Sequence, residues 1–68
     1  MGILDWEIYL RKRIQLNDIE VVNNAIKALW DASLGGMDYE VAAFHILEGL
    51  GMLTSNEWNT GKLNVSDI

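Results

Sequence analysis

The chain contains no cysteine and no proline. Without thiols it can form neither a disulfide nor a thiolate zinc site, so a domain of 68 residues has to be held by dense packing or by association with another chain. Without proline, and without a Ser/Gly-rich linker or a low-complexity run, nothing marks an internal boundary. Residues 1–68 therefore read as a single domain. Cations are scarce as well: five Lys and Arg stand against ten Asp and Glu, a formal net charge of −5. Nucleic-acid binding is driven by Lys and Arg that displace counterions from phosphates, so no direct nucleic-acid partner is expected. A helix-turn-helix reader is disfavoured on the same ground, because the would-be recognition helix from Tyr39 to Leu50 carries no Lys, Arg, Asn or Gln to read bases.

Long apolar runs are missing too. The longest uncharged apolar stretch, Val41 to Leu47, is interrupted by His45 and falls far short of the roughly 20 residues that span a bilayer. The start Met1-Gly2-Ile3-Leu4-Asp5-Trp6 lacks the basic region of a secretory signal and has Trp where a myristoylation site needs Ser or Thr. A cytoplasmic protein without a membrane segment is the expectation, and the lack of cysteine fits it.

What is present is a helical grammar. Half of the residues are apolar, more than a disordered chain of this length carries. Two helix starts are written locally. In Leu16-Asn17-Asp18-Ile19-Glu20-Val21, Asn17 can cap a helix, Glu20 can reach back to the cap, and Leu16 and Val21 can close an apolar staple. Leu53-Thr54-Ser55-Asn56-Glu57-Trp58 repeats the design, with Thr54 as cap, Glu57 as the returning carboxylate and Leu53 against Trp58. Further punctuation comes from Gly35-Gly36 before Asp38, from Gly49 and Gly51 before Thr54, and from Gly61. The predicted fold is all-α: a small bundle of three main helices at about 3–15, 18–34 and 39–50, a short fourth at 55–60, and an extended tail at 61–68.

The faces follow from 100° per residue. On the second helix Ile19, Val22, Ile26, Leu29 and Trp30 make a large apolar face, and Val21, Ala25, Ala28 and Ala32 make a stripe of small side chains. Such a helix is covered on two sides, which places it at the centre with a neighbour lying along the alanines. The third helix has one face of Tyr39, Ala42, Ala43, Ile46, Leu47 and Leu50, with Glu40, His45 and Glu48 on its wet side. It stops with Gly51 in the left-handed position and Met52 folding back on Leu47.

The first helix has more apolar surface than one small core can cover. Ile3, Trp6, Leu10 and Ile14 line one face, Leu4 and Ile8 lie on another, and Glu7 and Arg11 between them have the spacing of a helical salt bridge. Two readings stand. Leu4, Ile8, Tyr9 and Trp6 contact a partner, or the fourth helix and the tail fold over the second stripe. Of the three tryptophans, Trp30 is assigned to the core, Trp58 to the staple and Trp6 to a shared contact.

Catalytic chemistry finds little material. His45 is the single histidine, and the hydroxyls of Ser33, Thr54, Ser55, Thr60 and Ser66 sit in no nucleophile-elbow sequence. No catalytic residue and no cofactor is assigned. Gly49-Leu50-Gly51 closes a helix, whereas phosphate loops open one. Arg11-Lys12-Arg13 splays around the helix and complements its dipole. His45 and Glu48, three apart, could furnish two metal ligands, doubled to four in a dimer. A metal- or small-molecule-binding protein is thus the alternative to an interaction protein.

The run from Ile46 to Leu63, about a quarter of the chain, resembles the short C-terminal helical hairpin called SHOCT. That family joins a leucine-rich helix through a Gly-Leu-Leu-Thr turn to an acidic-aromatic helix start and a Lys-Leu ending. Leu50, Gly51, Leu53, Thr54, Glu57, Trp58, Lys62 and Leu63 correspond; Gly61 cuts the second helix short, and the family's charged middle is lacking. The resemblance implies a helix-pair association module and no activity.

Size, acidity and the empty catalytic inventory are also similar in type to the small proteins with which phages and mobile elements block a host enzyme or defence complex. The expected function is a non-enzymatic, homo-oligomeric interaction module, an inhibitor or adaptor for a host protein. Leu4, Trp6, Ile8 and Tyr9 form its expected apolar contact, and Asp31, Asp38, Glu40 and Glu48 its acidic surface.

Overall fold

A computed structural model describes residues 2–15 and 17–65. It holds four helices, α1 (Ile3–Arg13), α2 (Ile19–Leu34), α3 (Tyr39–Gly49) and α4 (Ser55–Thr60), and no strand among the described residues. α1, α2 and α3 pack pairwise into a closed triangle, so α2 is one wall of the bundle and not its centre. The core between them consists of Trp6, Tyr9, Leu10 and Ile14, then Val22, Ala25, Ile26 and Leu29, then Ala42, Ala43 and Leu47, with Leu63 of the tail closing it.

Local chemistry sets the helix ends. Asp38 caps α3, its carboxylate accepting the N–H groups of Glu40 and Val41 at 3.1 and 3.4 Å. α3 stops as expected: Gly51 takes φ +69°, its N–H bonds the Glu48 carbonyl, and the Met52 N–H bonds the Leu47 carbonyl at 3.0 Å. Thr54 and Glu57 form the predicted reciprocal cap of α4, with bonds of 3.2 and 2.9 Å.

The second helix start departs from expectation. Asp18, not Asn17, flanks the first turn of α2, and neither the Asp18 side chain nor a returning Glu20 caps it. With the cap one residue later, Val21 occupies the third helical position, so Glu20 is out of register for a capping box. The Asn17 amide is turned instead towards the Met52 sulfur, 3.6 Å away. Leu16, the expected staple residue, lies outside the described residues, as do Ser66 and the rest of the 66–68 tail.

Three apolar assignments on α2 and α3 are corrected. Ile19 is 72% exposed, Trp30 38% and Leu50 39%. Ile19 and Trp30 lie on one shoulder of the α2 arc, which a triangle of short helices covers only in its middle, whereas Leu50 lies just past the end of α3, at its C-cap. The alanine stripe is likewise covered in part: Ala25 is buried and Ala28 exposed, and both line a groove of about 380 Å³ with Val21, Ile46 and Leu50.

Candidate interaction surface

α1 decides which residues are free to make contacts. Trp6, Tyr9, Leu10, Arg13 and Ile14 follow the i, i+3, i+4, i+7, i+8 spacing of one helical face, and all point into the molecule. Trp6 and Tyr9 are each 4% exposed and meet edge to face at 5.5 Å, so both belong to the core and are removed from the expected contact surface. Tyr9 is drawn inward by its hydroxyl, which donates to the Asn64 carbonyl at 2.9 Å.

That bond is part of a polar node that fixes α4 and the tail to α1. The Glu57 carboxylate has no exposed surface and accepts four hydrogen bonds, filling the acceptor positions of both oxygens. Arg13 grips it with a two-pronged pair, Nη1 to Oε2 at 2.7 Å and Nη2 to Oε1 at 3.0 Å. The backbone N–H of Thr54 adds a bond of 2.9 Å to Oε1 and that of Asn64 one of 3.0 Å to Oε2. Arg13 also donates to the Met52 carbonyl and the Tyr9 hydroxyl, at 2.8 and 2.7 Å. Arg13 stands in the last turn of α1 as expected, where it complements the helix dipole, and it is also the part-buried anchor of this node.

Arg13 above all, then the two backbone donors, hold the Glu57 carboxyl down at about 2, against the cost of burying it. A depressed carboxylate stabilises the folded state fully above its unfolded pKa near 4.5 and loses that contribution as pH falls through about 2. The melting midpoint should therefore fall steeply between about pH 4.5 and 2. A Glu57→Gln variant should melt lower at neutral pH and show a flatter profile over the same range.

The tail thus covers the Tyr9 side of α1 and leaves the other stripe open. Leu4 is 63% and Ile8 51% exposed. Glu7 and Arg11 form the predicted pair at 3.3 Å, and Glu7 also accepts the Trp30 indole N–H at 2.8 Å. The indole, followed by Arg11, keeps the Glu7 carboxyl below the usual carboxylate range. Beside this pair, where the end of α1 meets the start of α2, lies a groove of about 520 Å³. Ile8, Ile19 and Val22 give it an apolar lining, and Arg11, Lys12, Gln15 and Asn17 line the remainder. Ile19 is the exposed, groove-lining aliphatic that sequence reasoning placed in the core. It carries the right period for the core, and its one visible signal is its place between two charges, Asp18 and Glu20.

The four acids are brought together only in part. Asp38 and Glu40 line one groove with Val41, Phe44, His45 and Lys62, and Glu48 joins its edge through His45 at 3.4 Å. Asp31 is exposed near the end of α2 and does not line that groove. His45 and Glu48 do meet, but no group of three or more His, Asp and Glu converges among the described residues. Two ligands are too few for a structural metal site in a monomer. Zinc or manganese should accordingly leave the melting midpoint unchanged, since a ligand selective for the native state must raise it.

Compared with protein-family models, with curated proteins and with solved structures, the chain matches none. No helix of the described residues is long and apolar enough to cross a membrane.

Proposed function

We propose that the protein is a non-enzymatic interaction module that works by binding another protein chain through the outer face of α1 and the adjoining start of α2. The observation that carries this reading is the exposure of Leu4 (63%), Ile8 (51%) and Ile19 (72%) after the core is complete. Single exposed aliphatics are ordinary on any surface, but two successive turns of one helix beside a groove with an apolar lining make a contiguous patch. Such patches form the desolvated centre of protein contacts, and charged groups such as Arg11 and Lys12 form their rim. The acids at Asp38, Glu40 and Glu48 lie on other elements and give the assembled protein a negative exterior. A cytoplasmic inhibitor or adaptor of phage or mobile-element type, meeting a host enzyme or defence complex with that exterior, is the role these features suit best.

The test is a Leu4→Ser/Ile8→Gln variant. Immobilised wild-type protein should bind other chains, whether its own soluble form or a protein from a host lysate. The variant should lose that binding and keep its helical circular dichroism. Loss of the helical signal would place the two residues in the core, and unchanged binding would remove α1 from the contact; either result defeats the reading.

A further inference from the structure

We infer that residues 53–65, which comprise α4 and the tail, form a strap that opens as one unit while α1, α2 and α3 stay packed, with the grip of Arg13 on Glu57 as its latch.

Packing is the first argument. α1, α2 and α3 each lie against the other two, whereas α4 packs as a helix against none of them. Six residues make no stable helix in water by themselves, so α4 is held in place by its side chains. Of these only Glu57 is buried; Ser55, Asn56, Trp58, Asn59 and Thr60 are exposed. α4 is therefore seated on a carboxylate and not on an apolar face. Farther along the strap Leu63 is buried, with Leu53 and Val65 partly so. Every other member of the buried apolar core stands on a main helix or at the C-cap of α1. An open strap takes Leu63 out of that core and leaves the rest between the three helices.

The latch is the second argument. From α1, Arg13 holds both oxygens of Glu57 and the Met52 carbonyl, where the chain leaves α3. Tyr9 holds the tail through the Asn64 carbonyl. The same Glu57 carboxylate takes the N–H groups of Thr54 and Asn64, so the start of the strap, its helix and its tail converge on one group. Segments tied to one centre are released together, which makes the strap a cooperative unit. A groove of about 300 Å³, lined by Tyr9, Lys12, Arg13, Thr54, Glu57 and Asn64, runs along the seam, and the Arg13 side chain is 20% exposed. Solvent thus reaches the edge of the latch, and on opening both charges regain the hydration that offsets much of their pairing. The open form adds the Tyr9 ring and a free Arg13 guanidinium to what α1 presents to another chain.

Hydrogen exchange of the full chain at neutral pH, followed amide by amide by NMR, tests this. The amides of Trp58, Gly61 and Asn64, bonded to the Thr54 carbonyl, the Glu57 carbonyl and the Glu57 carboxylate, report the strap. Those of Ile26 and Leu47, inside α2 and α3, report the helices. In the wild type the three strap amides should share one opening, at least about tenfold more frequent than the one that releases Ile26 and Leu47. Ala28→Gly, an exposed change on α2 remote in sequence from the strap, should speed exchange at Leu47 about fivefold and leave the strap rates as they were, because α2 is intact in the closed and the open form alike. In Arg13→Gln the strap amides should exchange almost as in an unfolded chain while Ile26 and Leu47 stay protected. Equal rates for strap and helices in the wild type, or strap rates that rise with Leu47 in Ala28→Gly, would mean a single global unfolding and overturn the inference. Protection that declines residue by residue towards the C-terminus would show fraying in place of a latched unit. An Arg13→Gln variant that keeps the strap protected, or that releases Ile26 and Leu47 with it, overturns the inference as well.

Discussion

Glu57→Ala is expected to cost the protein a large share of its stability at 25 °C and neutral pH, although it removes one side chain from a helix of six residues. Arg13 would be left among the groups that now enclose Glu57, with its charge uncompensated, and the backbone N–H groups of Thr54 and Asn64 would lose their acceptor. Breaking a buried pair by deleting one partner costs about 3–5 kcal/mol. A domain of 68 residues has about 3–10 kcal/mol in total, so a loss of that size removes a large share of what holds it. Glu57→Gln should be milder, because it keeps the shape and one acceptor. Replacing both ends, as Arg13→Met with Glu57→Leu, should recover part of the loss and no more, since the Thr54 and Asn64 donors stay orphaned. Urea unfolding of the four proteins gives this order directly. If Glu57→Ala retains wild-type stability, the node does not hold the tail to α1.

The second large effect is a contrast between neighbours on α1. Leu10 has no exposed surface and lies at the centre of the core, so Leu10→Ala should cost about 2–5 kcal/mol through lost transfer energy and the cavity left behind. Ile8, two positions earlier and 51% exposed, should tolerate Ala within about 0.5 kcal/mol at concentrations where the protein is monomeric. At high concentration the order of consequence changes: Ile8→Ala should lower the midpoint by weakening association, and Leu10→Ala should be low at every dilution. Denaturation at two protein concentrations separates the two roles. An Ile8→Ala loss as large as that of Leu10→Ala in dilute solution would mean that the outer stripe is core.

Much of the fold could be read from sequence because its signals are local. The Thr54–Glu57 cap, the Asp38 punctuation and the Gly51 stop each complete their hydrogen bonds within a few residues. Exposure of Leu4 and Ile8 followed from a helix having more apolar surface than a small core can cover. What could not be read is non-local. Glu57 was legible as a capping carboxylate, but its grip on Arg13 joins residues 44 apart in the chain. The Tyr9 hydroxyl bond is non-local too, reaching a carbonyl 55 residues away, although the ring itself shares the helical face of Trp6 and Leu10. Trp30 and Ile19 failed for another reason. Period alone marks an apolar arc, whereas the number and tilt of neighbouring helices decide how wide an arc is covered, and three short helices covered less than the arc on α2.

The central proposal is that the apolar face left open by α1 and the start of α2 associates with another protein chain, its own copy included. Its most direct test is the solution mass of the wild-type chain, by light scattering coupled to size exclusion, over a hundredfold range of concentration. The account predicts a mass approaching twice 7.7 kDa at the upper end and falling towards 7.7 kDa on dilution. A mass of 7.7 kDa throughout would contradict it.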